Sequence, residues 1–219
     1  MTKISTISQA ITNIQKEFGS IDVLCNNAWY GLTGSFEAMT SEQIEKEFDV
    51  NVFGVMNMIR EILPIFRKQK SWTIITITSM AGVFTIPTYS VYHATKWSLE
   101  WFLESLQYEL RQFGIKIKII QPWIIKTNFY DKSMDISHKD WLKDYDNYVN
   151  IVNKNISKGT KNASWPQVVA KKIYNAVNDN SNRMRYSVWG NWPLLIFLRK
   201  IIPTRIFNKL ISIFLEKNT

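Results

Sequence analysis

The stretch "TIITITS", Thr73 to Ser79, decides how the rest of the chain is read. Every residue before Ser79 is β-branched, and no polar alternation interrupts the run. It therefore predicts a strand buried on both faces, the signature of a parallel sheet covered by helices on either side. Working outward, "IDVLCNNA" (Ile21–Ala28), "KIKIIQP" (Lys116–Pro122) and "RMRYSVW" (Arg183–Trp189) read as further strands. Ser5 to Phe18 repeats apolar residues at helical spacing (Ile7, Ile11, Ile14, Phe18) and stops at Gly19, where a C-cap favours glycine. A long helix is predicted from a cap at Thr40 or Ser41 to about Lys70, bent at Pro64, and another from Ser90 to Phe113, closed by Gly114. Pro166 opens a later amphipathic helix. Residues 130–160 read as polar and weakly periodic, and the tail from Pro193 as one or two basic amphipathic helices broken at Pro203. Strand and helix alternate with crossovers long enough to be right-handed, so the fold class is α/β, a doubly wound parallel sheet.

Composition narrows the function. The chain has 219 residues, 46% of them apolar, and suits one domain, 1–219, with a basic tail at 193–219. No apolar run is long enough to span a membrane, and "MTKISTISQAITNIQ" lacks the apolar core of a signal peptide. Cys25, the single cysteine, cannot form an internal disulfide and suits a reducing, cytoplasmic setting; it reads as a small buried strand residue. With only His93 and His138 beside it, a structural zinc site is not expected, and no metal is assigned. His93 reads as a surface or rim residue. The net charge of +9 comes without basic residues interleaved with aromatics, so nucleic acid is not the expected partner. The tail "PLLIFLRKIIPTRIFNKLISIFLEK" either caps a pocket or lies on an anionic membrane surface.

Ligands of open parallel sheets bind beyond the carboxyl ends of the strands. Ser79 stands at such an end, and Tyr92 and Lys96, four apart, share one face at the start of the following helix. An ammonium beside a phenol favours the phenolate, and such a tyrosine can exchange a proton with an alcohol or carbonyl. The Ser79 hydroxyl can hydrogen-bond the same substrate oxygen. Met80, Val83, Phe84, Ile86 and Phe129 flank this place, either lining it for an apolar substrate or packing the loops.

The stretches "IDVLCNNA", "FDVNVFGV", "IITITSMAG" with "YHATK", and "QPWIIKTNF", in that order, resemble the short-chain dehydrogenase/reductase family. The resemblance implies a partial Rossmann-like sheet and an oxidoreductase that uses NAD or NADP to interconvert a secondary alcohol and a carbonyl. It makes Tyr92 the general acid/base, Lys96 its helper and a ribose ligand, and Ser79 the group that orients the carbonyl. Asn51 would hold a relay water. Asn26 and Ala28 would lie along the adenosine, while Pro122, Ile125 and Thr127 would line the nicotinamide. The substrate is expected to be small and apolar, and a homo-oligomer is compatible with the reading.

Two departures accompany the resemblance. The family's first strands and glycine-rich phosphate turn have no counterpart before "MTKISTISQAI", so the chain is expected to be N-terminally truncated and to bind NAD(P) poorly. The strand at Ile21 would then be a sheet edge. Four family glycines stand as Trp29, Trp72, Trp101 and Trp123, in a chain with 9 tryptophans and 8 glycines. Trp29 and Trp123 would crowd the cofactor, and Trp72 would occupy a turn favouring positive φ. A UGA codon read as tryptophan instead of glycine explains all four together. The alternative to an active enzyme is an inactive truncated fragment or pseudoenzyme with a binding or membrane-surface role.

Overall fold

The sheet predicted from Thr73–Ser79 is present. The computed structural model describes residues 3–70, 72–127, 129, 133–160, 163–188 and 192–217. Strands β1 (Val23–Asn26), β3 (Trp72–Ile77), β4 (Ile115–Pro122) and β6 (Arg185–Val188) form a four-stranded sheet in the order β1-β3-β4-β6. Every pairing is parallel, with Val23 opposite Thr73 and Trp72 opposite Ile115. Among the described residues β1 is one edge, as expected. The last residue of the expected final strand, Trp189, lies outside the described residues.

Alternate residues of β3 feed two cores. Ile74 joins Ile7 and Ile11 of α1 (Ile4–Phe18), Ile59, Ile62 and Phe66 of α3 (Gly54–Gln69), and Leu99 and Leu103 of α4 (Ser90–Leu110). Ile75 and Ile77 point the other way, against the helix Gln167–Asn178. That two-sided burial is why the run carries no polar residue other than threonine.

Thr40 caps α2 (Ser41–Phe48) through a reciprocal capping box with Gln43. Between α2 and α3 the backbone makes a π turn over Asp49–Phe53, and Asn51 sits in it. The helix runs on through Pro64, so its irregularity falls at 49–53 instead of at the proline. Lys70 ends α3 in the left-handed region (φ 63°). Its carbonyl would lie 2.8 Å from a Cβ on Gly114, so the turn after α4 needs glycine, whose φ is 70°.

Residues 133–160 carry more regular structure than their composition suggests. β2 (Gly31–Gly34) and β5 (Met134–Ser137) pair as a second, two-stranded parallel sheet, and α5 spans Asp146–Thr160. The helix Gln167–Asn178, with Pro166 at its cap, is α6. The tail forms α7 (Trp192–Ile201) and α8 (Thr204–Leu215), separated at Pro203.

Three readings of single residues are corrected. Cys25 is exposed on the edge strand β1, on the face opposite its buried neighbours Leu24 and Asn26. His93 is buried, 5% exposed, instead of standing on the rim. Trp72 does not occupy a positive-φ turn: it is the first residue of β3, packed on the Phe66 ring at 5.7 Å.

Candidate active site

Three segments meet at the carboxyl edge of the sheet: the loop after β3, the first turns of α4, and the loop from β1 to β2. Ser79 leaves β3 extended, and its hydroxyl accepts from the Ala81 N–H (3.1 Å), capping the short turn Met80–Gly82. It also donates to the Pro122 carbonyl over a long 3.4 Å. Its proton is therefore loosely held.

Tyr92 and Lys96 stand on consecutive turns of α4, 6% and 1% exposed. The Lys96 Nζ lies 5.5 Å from the Tyr92 ring centroid and 5.2 Å from the Trp29 ring. Burial pulls the ammonium down to about 7, opposed by the negative charge of Glu47 and Glu100. Glu47 is itself fully buried, and burial pushes its carboxyl up to about 8. Its Oε1 accepts from the Leu32 N–H at 3.1 Å, which anchors β2 to α2. Glu47 was invisible as a site residue in sequence, because "EQIEKEF" reads as a solvated helix face.

Asn51 is a brace. Its Oδ1 accepts from the Tyr30 N–H (2.8 Å), and its Nδ2 donates to the Tyr30 carbonyl (2.7 Å) and to Thr95 Oγ1 (3.2 Å). Thr95 in turn donates to the Tyr92 carbonyl at 2.8 Å. The π turn thus fastens the β1–β2 loop to the turn that carries Tyr92 and Lys96. His93 fastens the other side. Its Nε2 accepts from the Ile86 N–H (2.9 Å), so its proton is on Nδ1, which donates to the Ala81 carbonyl (2.8 Å). Burial lowers its pKa, keeping it neutral and holding the loop 79–86 against α4.

Ser79, Tyr92 and His93 open on a cavity of about 910 Å³ whose remaining walls are mostly apolar. Trp29 and Trp123 line it as well. Trp29 stacks on Phe129 at 3.9 Å, and Trp123 packs on Phe84 at 5.3 Å. Of the apolar residues read as flanking it, Phe84, Ile86 and Phe129 line the cavity, while Met80 and Val83 pack behind them against Phe84 and Phe207. Residues of α5, α7 and α8 line the side away from the sheet.

The other residues singled out in sequence stand apart from this lining. Asn26, 3% exposed, donates to Thr76 Oγ1 at 3.3 Å, and its Oδ1 has no partner among the described residues. Ala28 is exposed. Pro122 ends β4, Ile125 bridges to Ser164, and the exposed Thr127 accepts from the Phe129 N–H.

Comparison with known proteins shows the family and the fold. The family model described as short chain dehydrogenase matches residues 1–136. An uncharacterised oxidoreductase of Schizosaccharomyces pombe is 35% identical over 186 residues, covering 85% of this chain and 78% of the relative. The 3-ketodihydrosphingosine reductase of Bacteroides thetaiotaomicron is 34% identical, over 79% of this chain and 64% of that protein. The crystal structure of a short-chain dehydrogenase from Streptomyces avermitilis superposes with a TM-score of 0.79 at 26% identity, covering 95% of this chain and 76% of its own.

Proposed function

The chain belongs to the short-chain dehydrogenase family, and from that premise we propose that it moves hydride between NAD or NADP and a small apolar secondary alcohol or carbonyl. The observation that carries the proposal is the cavity itself. Ser79 and Tyr92 open on it together, and Lys96 is buried behind the tyrosine ring.

One structural feature favours the fit of a dinucleotide. The buried Oδ1 of Asn26, at the carboxyl end of β1, lacks a donor that a ribose or adenine group would supply. Asn26, Ala28, Tyr92, Lys96, Pro122, Ile125 and Thr127 would hold the cofactor. When bound, it would supply the hydride chemistry. The chain's own residues do the rest. The Ser79 hydroxyl gives up its long bond to the Pro122 carbonyl and donates to the substrate oxygen. Tyr92 exchanges its phenolic proton with that oxygen. Lys96, titrating near neutral pH, returns a proton to the tyrosine or accepts one from it. Asn51, through Tyr30 and Thr95, keeps the two in place. Apolar walls exclude water from the reacting oxygen.

Tyr92→Phe should lower NAD(P)H-dependent reduction of apolar ketones about 10²- to 10⁴-fold while leaving the circular dichroism spectrum unchanged. An unchanged rate would overturn the assignment. A second reading, a non-catalytic protein, is favoured by one contact: the Trp29 indole stacked on Phe129 beside Lys96 and Tyr92 obstructs the ribose position. It gains support if the wild-type chain neither binds NADH or NADPH nor turns over.

A further inference from the structure

α8 is more apolar than its packing requires. Phe207, Ile211 and Leu215 face the body of the protein, and Phe207 is 2% exposed. At 100° per residue, Ile206, Leu210, Ile213 and Phe214 fall on the adjoining flank. That flank is uncovered: Phe214 is 82% exposed, and Ile206 and Leu210 are 53% exposed. Phe197 and Ile201 of α7 extend the same exposure to the preceding helix. Next around the α8 wheel come the exposed Arg205 and Lys209, and the exposed Lys217 follows the helix. The one acidic residue from 192 to 217, Glu216, accepts from Tyr148 at 2.7 Å and from Ser212. A second observation concerns access. Leu210, Ile213 and Phe214 are at once exposed and part of the cavity wall, so the cavity opens on this face.

We propose that this face docks on the surface of an anionic lipid bilayer, with α8 lying in the interfacial plane and the cavity mouth turned toward the acyl chains. A broad apolar arc bordered by arginine and lysine is what such a surface binds. No helix among the described residues is long and apolar enough to cross the bilayer, so α8 lies on it. A second copy of the chain is the weaker occupant, because joining two such faces would bring like charges together. The docking stands without the oxidoreductase reading. Its corollary rests on that reading: the alcohol or carbonyl that reaches Tyr92 is a lipid-chain compound drawn from the membrane.

The test is sedimentation of the full chain with vesicles, which has no catalytic readout. The chain should sediment with phosphatidylcholine–phosphatidylserine vesicles, much less with phosphatidylcholine alone, and added salt should release it. The double variant Arg205→Gln/Lys209→Gln should weaken partitioning roughly 30-fold, from a factor of about 5 per basic residue near the surface. Ile206→Ser should weaken it further, with an unchanged circular dichroism spectrum because its side chain is solvent-facing. Equal binding to both vesicle types, or none to either, would overturn the proposal. So would a wild-type dimer in lipid-free sedimentation velocity that Ile206→Ser converts to monomer.

Discussion

Replacing Glu47 with glutamine should change the dependence of stability on pH more than stability itself. The Glu47 carboxyl is fully buried between α2, β2 and Lys96, and its Oε2 has no partner among the described residues. Burial pushes its pKa from 4.5 to about 8, against the Leu32 N–H bond and the Lys96 charge, which both favour the anion. The folded protein therefore holds a proton that the unfolded chain has lost between those values. Stability is greatest below the lower value and falls as pH rises through the upper one. Each pH unit of a full proton difference is about 1.4 kcal/mol. Between about pH 5 and about pH 8 the wild type should thus lose on the order of 3 kcal/mol that Glu47→Gln keeps. Near pH 5 the carboxyl is neutral and the amide nearly isosteric, so the two proteins should then be similar. In the wild type Lys96 has the opposite slope: burial pulls its pKa from 10.5 to about 7, so its contribution rises with pH between those values, and Glu47→Gln removes one of the charges that oppose this fall. The assay is urea denaturation followed by tryptophan fluorescence at several pH values. Parallel stability curves for the two proteins would refute the reasoning, because they would mean that Glu47 is already ionised in the fold.

Glu100 accepts from Thr78 (2.6 Å), Gln121 (3.0 Å) and Arg185 (2.9 Å), and so ties β6 and the ends of β3 and β4 to α4. Glu100→Ala takes this acceptor from Thr78 and Gln121, while Arg185 keeps Glu104, and should cost about 1–3 kcal/mol in denaturant unfolding; a loss near zero would show that these bonds do not hold the strand ends to α4. Gly34 has φ 125°, and a Cβ there would lie 2.6 Å from the Ser137 carbonyl oxygen. Gly34→Ala should cost about 1–3 kcal/mol and loosen the β2–β5 pair, seen as faster amide exchange at Gly31–Gly34 than in the wild type. Trp29→Gly gives up a ring stack and a cation–π contact, together about 1–3 kcal/mol of stability. It should raise NADH affinity at least tenfold by fluorescence titration, and unaltered affinity would clear the indole of obstructing the site. UGG codons at positions 29, 72, 101 and 123 would exclude the recoding account of these tryptophans.

Legibility in the sequence followed the range over which each feature is determined. β3 is β-branched from Thr73 onward and α4 carries Tyr92 and Lys96 one turn apart, so local pattern sufficed for the sheet and for the residues at its edge. β2 is "GLTG", with two glycines and no alternation. Its pairing depends on room beside Ser137 and beneath Phe129, contacts roughly a hundred residues away. His93 and Glu47 carry charge-capable side chains into the interior, and their burial is decided by partners outside their own helices, the 79–86 loop and β2. Cys25 differs the other way: it lies on the exposed face of β1, opposite Leu24 and Asn26, which local pattern does not distinguish. The π turn leaves no compositional trace in "DVNVF".

That turn makes the long helix unusual in its response to a change of length. A π turn is an α-helix that has absorbed one additional residue while the segments on either side keep their orientation. Deleting a residue elsewhere between Ser41 and Gln69 would rotate everything beyond it by about 100° and carry Ile59, Ile62 and Phe66 off the sheet. Deleting one within Asp49–Phe53 would only close the turn, leaving both flanks on their present faces. What would disappear is Asn51's hold on Tyr30 and Thr95. A single in-frame codon loss can therefore separate the scaffold from its site, giving a chain that still folds but no longer fixes the β1–β2 loop against Tyr92 and Lys96.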